Sequence, residues 1–270
     1  MKTITILNEK GGVGKTTIAV TVAAGLAARG QRVLLIDADA QGNATAGVGV
    51  RKYPGLYDLL VRWDDLLDAH NGDRGKVYGH CTRVIPREWY GGLPEQGVLA
   101  LIGSNVETRN IANSISDADK LARLLEPLAS RFDVCLIDTA PTPSLLHGSI
   151  YMASDFILYP TLCEVWSLEG LSESVSRLDA VQRQRRVRVG GIIPTRYRGT
   201  TIEHRENLAE LKREFVDLVW PELPERIVWP EAAGYRRPVF LHAPDSDAAD
   251  HAWELVDRVE ALGVGVQNGE

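Results

Sequence analysis

Lys10-Gly11-Gly12-Val13-Gly14-Lys15-Thr16-Thr17 is the stretch on which the reading of this chain turns. It fits the phosphate-binding template G-x-x-x-x-G-K-[ST] at Gly14, Lys15 and Thr16, while the template's first glycine falls on Glu9. The flanks agree with the motif. An apolar, strand-like run from Ile4 to Leu7 leads in, and a helix-like run from Thr16 to Arg29 leads out. Glycines let the backbone turn tightly enough for successive N–H groups to point inward, and the following helix adds the positive end of its dipole. In that geometry Gly11 to Thr17 cradle nucleotide phosphates, Lys15 sits on the outer phosphates and the Thr16 hydroxyl serves a Mg²⁺ ion.

Working outward, Val33 to Asp37 is a continuous apolar run of the kind found in strands covered on both faces. Gly30 ends the helix before it. Strand, phosphate loop, helix and strand make a βαβ unit with a parallel sheet. The polar stretch Asp37 to Asn43 then falls at the carboxyl end of a strand, where α/β sheets place their ligands. Asp133 to Asp138 is a second buried run ending in a carboxylate, the form of a Walker B element whose Asp138 shares the Mg²⁺ shell with Thr16. Thr139-Ala140-Pro141-Thr142-Pro143 follows as a stiff loop in the position of a γ-phosphate sensor.

The remaining pattern predicts helices over Pro54 to Leu60, Lys120 to Ala129, Leu168 to Gln182, Ile202 to Leu218 and Ser246 to Leu262. Strands are expected at Thr82 to Ile85, Val98 to Ile102, Phe156 to Tyr159, Val187 to Ile193 and Arg226 to Trp229. The fold class is α/β: one P-loop NTPase domain over residues 1–263, a mostly parallel twisted sheet with helices on both faces, and a flexible tail at 264–270. Residues 61–97 are a polar, glycine-containing excursion whose aromatics Trp63, Tyr78, Trp89 and Tyr90 read as local packing.

Composition narrows the function. At 270 residues, with 44% hydrophobic and 24% charged side chains, the chain has an ordinary globular balance. No apolar run approaches the roughly 20 residues that span a bilayer, and the strand that starts after Lys2 leaves no room for a leader, so a cytoplasmic location is expected. Cys81, Cys135 and Cys163 include no C-x-x-C pair, which argues against a disulfide framework or a zinc or iron–sulfur site. The net charge of −6 is unevenly spread. Between Arg177 and Arg213 there are ten basic and four acidic side chains, leaving the rest of the chain at −12. Such a segment reads equally as a nucleic-acid footprint or as a solvated helix face.

Three runs together resemble the ParA/MinD family of P-loop ATPases: Lys10 to Thr17, Asp37-Ala38-Asp39-Ala40-Gln41-Gly42-Asn43-Ala44-Thr45, and Leu136-Ile137-Asp138-Thr139-Ala140-Pro141-Thr142. The second run, and Glu164 to Leu171, place the resemblance on the ParA side, among partition ATPases. The resemblance implies an ATP- and Mg²⁺-dependent switch. Lys10 would reach the nucleotide of a second subunit, Lys15 the phosphates of its own, and Asp39 would position the attacking water near a metal held by Thr16, Asp39 and Asp138. Thr195, Arg196 and Pro224 are the candidates for the base. An ATP-dependent homodimer, nonspecific DNA and a ParB-like stimulating protein are the implied partners. Val228 stands where DNA-binding relatives often carry arginine, so Arg198, Arg205, Arg226, Arg236 and Arg237 are the candidate DNA contacts. The alternatives are a MinD-like membrane-positioned regulator or a metabolic ATP-dependent enzyme on the same fold. The acidic face of the last helix (Asp247, Asp250, Glu254, Asp257, Glu260) opposes the membrane reading.

Overall fold

The computed structural model describes residues 1–92, 97–164, 170–176, 178 and 187–263. The described residues form a seven-stranded sheet in the order β3-β4-β2-β5-β1-β6-β7. Its strands are β1 (Lys2–Ile6), β2 (Arg32–Ala38), β3 (Thr82–Val84), β4 (Val98–Ile102), β5 (Val134–Thr139), β6 (Phe156–Leu162) and β7 (Arg188–Thr195). Every pairing is parallel except that of β3 with β4 at the edge. The chain leaves β1, runs through α1 (Lys15–Ala28) and returns as β2, yet β2 pairs with β5 and not with β1. Interposing β5 has a direct consequence: Asp138 lies in register with both Ile6, just before the phosphate loop, and Asp37.

Both faces of the sheet are covered. On one face α1 packs with α14 (Asp247–Glu260), and Ile18, Val22, Leu26, Ala252 and Val256 share a core with β1 and β2. The helices approach closely because position 25 is glycine; a Cβ there would stand 2.4 Å from Val256 Cγ2. The acidic side of α14 faces outward, and Arg29 at the end of α1 bridges its Asp257 and Glu260. The opposite face is covered by α3 (Leu56–Val61), α4 (Trp63–Ala69), α5 (Arg74–Cys81), α8 (Lys120–Leu125) and α9 (Leu145–Ala153). Near β6 and β7 lie α10, the helical residues 170–176, and α11 (Ile202–Phe215), while the short helices α2 (Asn43–Val48), α7 (Ile111–Ser114) and α13 (Val239–His242) add side chains to the cores of the two faces. The three cysteines are buried and free, in keeping with their apolar surroundings.

The excursion is more ordered than its composition suggests. It folds as α4, α5, β3 and α6 (Arg87–Tyr90), and its aromatics are packing groups. Trp63 and Tyr78 meet edge to face at 5.4 Å, the Tyr78 hydroxyl donates to Leu124 O, and Trp89 Nε1 donates to Arg236 O. The helix expected over Lys120 to Ala129 is α only to Leu125 and then tightens into a 3₁₀ turn at Glu126–Ser130. Pro127 has no N–H to extend the α ladder. The helix expected at Leu168 to Gln182 is helical over 170–176 and at 178; residues 168–169, 177 and 179–182, the basic cluster at 183–186 and the tail at 264–270 lie outside the described residues.

One expected element is wrong. Arg226 to Trp229 is not a strand: the backbone makes a bridge between Tyr197 and Pro224, turns, and enters α12 (Val228–Gly234). Pro230 falls in the first turn of that helix, where a missing N–H costs no hydrogen bond. Val228 and Trp229 pack, partly buried, against the core that holds Ala232, while Ile227 is exposed.

Candidate nucleotide site

The phosphate loop is built by β1 ending one residue before Leu7 and by two left-handed glycines, Gly12 at φ 74° and Gly14 at φ 88°. A side chain at either would strain the backbone. Gly14 caps α1, so the helix N-terminus and its unpaired N–H groups open onto the loop. Three contacts fix the loop's shape. Asn8, which the sequence reading passed over, donates from Nδ2 to Pro160 O at 2.7 Å and accepts from Lys10 N at 2.8 Å. Val13 is fully buried, and its carbonyl accepts from Thr195 Oγ1 at 3.0 Å. Lys15 Nζ donates to Lys10 O at 2.9 Å, spanning the loop where a phosphate would lie.

Beneath the loop two carboxylates, Asp37 and Asp138, lie side by side on paired strands. Asp138 is completely buried at the end of β5; its Oδ2 accepts from the Thr16 hydroxyl at 2.7 Å, and its Oδ1 has no partner. Asp37 is equally buried but satisfied. Its Oδ2 accepts from Thr45 N at 2.8 Å and Thr45 Oγ1 at 2.6 Å, and its Oδ1 from Asp39 N at 3.2 Å. Burial pushes the Asp37 carboxyl up to about 6. Burial also raises Asp138 well above the carboxylate range, and the adjacent Asp37 adds to this. The Lys15 ammonium is drawn below its ordinary value by burial, against the pull of Asp138 and Asp39. Two buried carboxyl groups thus crowd one site, each disfavoured in its charged form, and one of their oxygens is unsatisfied.

Asp39 lies just outside, half-buried, accepting from Gln41 N at 2.9 Å. Its turn is tied to the end of β4: Ser104 Oγ donates to Asp39 O at 2.5 Å, and Ser104 N donates to Thr45 Oγ1 at 2.9 Å. Thr45 and Ser104 were also missed in the sequence reading, because residues 59 apart give no local signal. Lys10 Nζ pairs with Glu164 Oε2 of its own chain at 2.7 Å.

Beside the loop a cavity of about 450 Å³ is lined by Gly12, Gly14, Thr17, Thr195, Arg196 and Pro224, among others, a size suited to a purine and its ribose. Thr195 contributes its wall, its hydroxyl being committed to Val13 O and Thr161 O. Arg196, at φ 52°, and Arg198 both grip Glu225, which holds that carboxyl down at about 2. Gly11 stands exposed at the crown of the loop.

The five candidate DNA contacts do not form one group. Arg198 is paired with Glu225 and Arg226 with Asp247, while Arg205 donates to Gly199 O. Arg236 and Arg237 sit together in the turn after α12, both exposed and, among the described residues, without an ion pair. Gly49 lies against Arg236, a Cβ at that position falling 3.7 Å from Arg236 Cδ, and exposed Arg51 is two residues further on. Among the described residues no helix is long and apolar enough to cross a membrane.

A family model described as an AAA domain matches residues 1–189. The chain is 33% identical over 268 residues to the sporulation initiation inhibitor protein Soj of Bacillus subtilis, covering 97% of this chain and 99% of that protein. It is 31% identical over 264 residues to the chromosome-partitioning ATPase Soj of Thermus thermophilus, covering 97% and 96%. Among solved structures, the ATP complex of a McdA variant from Cyanothece aligns with a TM-score of 0.79 at 22% identity, over 98% of this chain and 97% of that one. That likeness is one of fold.

Proposed function

The chain belongs to the ParA/Soj family of P-loop ATPases, and from that membership we propose that it is an ATP-driven switch that dimerises to complete its active site. In the ATP state it holds DNA through backbone phosphates, and a ParB-like partner stimulates hydrolysis and release. The role is partition or the positioning of a cargo.

The observation that carries the reading is the orphaned Oδ1 of Asp138, buried beside the Thr16 hydroxyl under a loop spanned by Lys15. A buried carboxylate oxygen with no donor is costly, and a divalent cation beside it removes the cost. Among the described residues no three His, Cys, Asp or Glu side chains converge as a cage, which suits Mg²⁺, an ion usually held by one or two carboxylates together with substrate phosphates. Thr16, Asp138 and Asp39 would hold it. When bound, the ion would supply positive charge that stabilises the negative charge of the outer phosphates. The name of the Thermus thermophilus relative, a chromosome-partitioning ATPase, supports the assignment of this nucleotide.

The chain's own groups then divide the work. Lys15 exchanges the Lys10 carbonyl for a phosphate oxygen. Asp39, on a turn fixed by Ser104, orients the attacking water. Thr17 and the cavity walled by Thr195, Arg196 and Pro224 take the nucleoside. Lys10 leaves Glu164 to meet the partner subunit's nucleotide, so that its charge reaches the transferring phosphate only when two copies have closed, in the manner of an arginine finger. Arg236 and Arg237, exposed and without an ion pair among the described residues, are the favoured phosphate contacts for DNA.

Titration of a fluorescent ATP analogue into the wild type and Lys15→Ala tests the site. Removing a charge-assisted contact to phosphate should weaken binding by about a hundredfold. Wild-type affinity in Lys15→Ala would overturn the assignment.

A further inference from the structure

His147 lies in the first turn of α9 and is only 8% exposed. Its Nε2 stands 3.1 Å from Ala140 O, and its Nδ1 stands 3.1 Å from Ser144 Oγ. A carbonyl can only accept, so the ring proton is on Nε2, and Nδ1 accepts from the Ser144 hydroxyl. One rigid ring therefore closes both ends of the loop 140–144, which begins two residues after Asp138. Within the loop, Pro141 and Pro143 fix their own φ and restrict the residue before each. The freedom that remains is at the ends, which His147 holds.

The surroundings keep the ring in this state. Burial draws His147 below the ordinary histidine range; the bond to Ala140 and the charge of Glu9 oppose this, and Lys15 reinforces it. Glu9 and Lys15 both belong to the phosphate loop, so the clamp lies within electrostatic reach of the nucleotide site. With Nε2 donating to a carbonyl and Nδ1 accepting from a hydroxyl, the ring has no lone pair to offer a reacting water. It is not a general base.

We propose that His147 is a positioning residue for ATP hydrolysis, clamping the loop 140–144 so that the backbone after Asp138 is preset for the terminal phosphate. This rests on the ATPase reading above and adds a residue that the motifs do not contain. A misplaced loop would spare nucleotide binding, which Lys15 and the glycines provide, and would slow the chemical step.

The test uses amide exchange of the loop peptide in the nucleotide-free full-length chain, together with kcat, KM and ADP affinity. His147→Asn keeps a group near Nδ1 but cannot reach Ala140 O; His147→Gln places an N–H donor near the position of Nε2. In His147→Asn the exchange of residues 139–144 should quicken and kcat should fall, each by about tenfold, the equivalent of one hydrogen bond, with KM and ADP affinity within about twofold. His147→Gln should return both toward wild type. Wild-type exchange and kcat in His147→Asn, or equal losses in the two variants, would overturn the proposal. If His147→Asn fails to fold, Ser144→Ala, at an exposed position, should still quicken exchange, and wild-type exchange there would overturn the clamp. A wild type that binds but never hydrolyses ATP would refute the ATPase reading and with it the catalytic half of this proposal, while the exchange data still decide the clamp.

Discussion

Lys15 and Thr16 are neighbours in sequence but face different charges: Lys15 spans the loop to Lys10 O, and Thr16 turns inward to Asp138. Asp39 differs from Asp37 and Asp138 in being only half-buried, with its charge at the mouth of the site. Asp39→Ala should therefore leave ATP affinity within a few-fold of wild type while reducing turnover by about a hundredfold or more, the loss expected when a water-orienting group is removed. Steady-state phosphate release beside equilibrium nucleotide binding separates the two effects, and undiminished release would remove Asp39 from the mechanism. Asn8 acts one step back. Asn8→Ala takes two bonds from the loop at once, and nucleotide affinity should fall by about tenfold without loss of the fold, measured by the same titration with a melting curve as control.

Elements carry the second set of constraints. The pairing of α1 with α14 depends on Gly25, where any side chain meets Val256. Gly25→Ala should destabilise the protein by about 1–3 kcal/mol despite alanine's better helix propensity, because overpacking outweighs it; chemical denaturation would read this, and a stabilised variant would contradict the packing. Both helices were legible in the sequence, α14 from its stripe of Ala249, Trp253, Val256 and Val259. So were the strands ending in Asp37 and Asp138, since continuous apolar runs bounded by carboxylates allow few other readings. The error at Arg226 to Trp229 came from a run too short for periodicity to separate strand from helix. The supports of the site escaped for another reason. Asn8, Thr45 and Ser104 are ordinary polar residues whose partners lie far off in sequence, on β6 or beyond the end of β4, and His147 holds a loop that no motif marks.

At the scale of the whole molecule, an acidic body of net charge −6 presents a small basic turn at Arg236 and Arg237. A double charge reversal, Arg236→Glu with Arg237→Glu, should abolish DNA retention at low salt and leave ATP turnover within about twofold, since neither residue contributes to the phosphate loop. Retention unchanged by the reversal would move the DNA surface elsewhere. The proposed completion of the site by a second copy belongs to the same scale. Lys10 lies beside the phosphate loop yet is tied to Glu164, and the reading gives it work only across a subunit boundary. Size-exclusion chromatography of Asp39→Ala with ADP and then with ATP addresses this directly. A monomer with ADP that becomes a dimer with ATP, and fails to do so when Lys10 is also replaced by alanine, is the expected result; a single oligomeric state under both nucleotides would contradict a switch built on a shared active site.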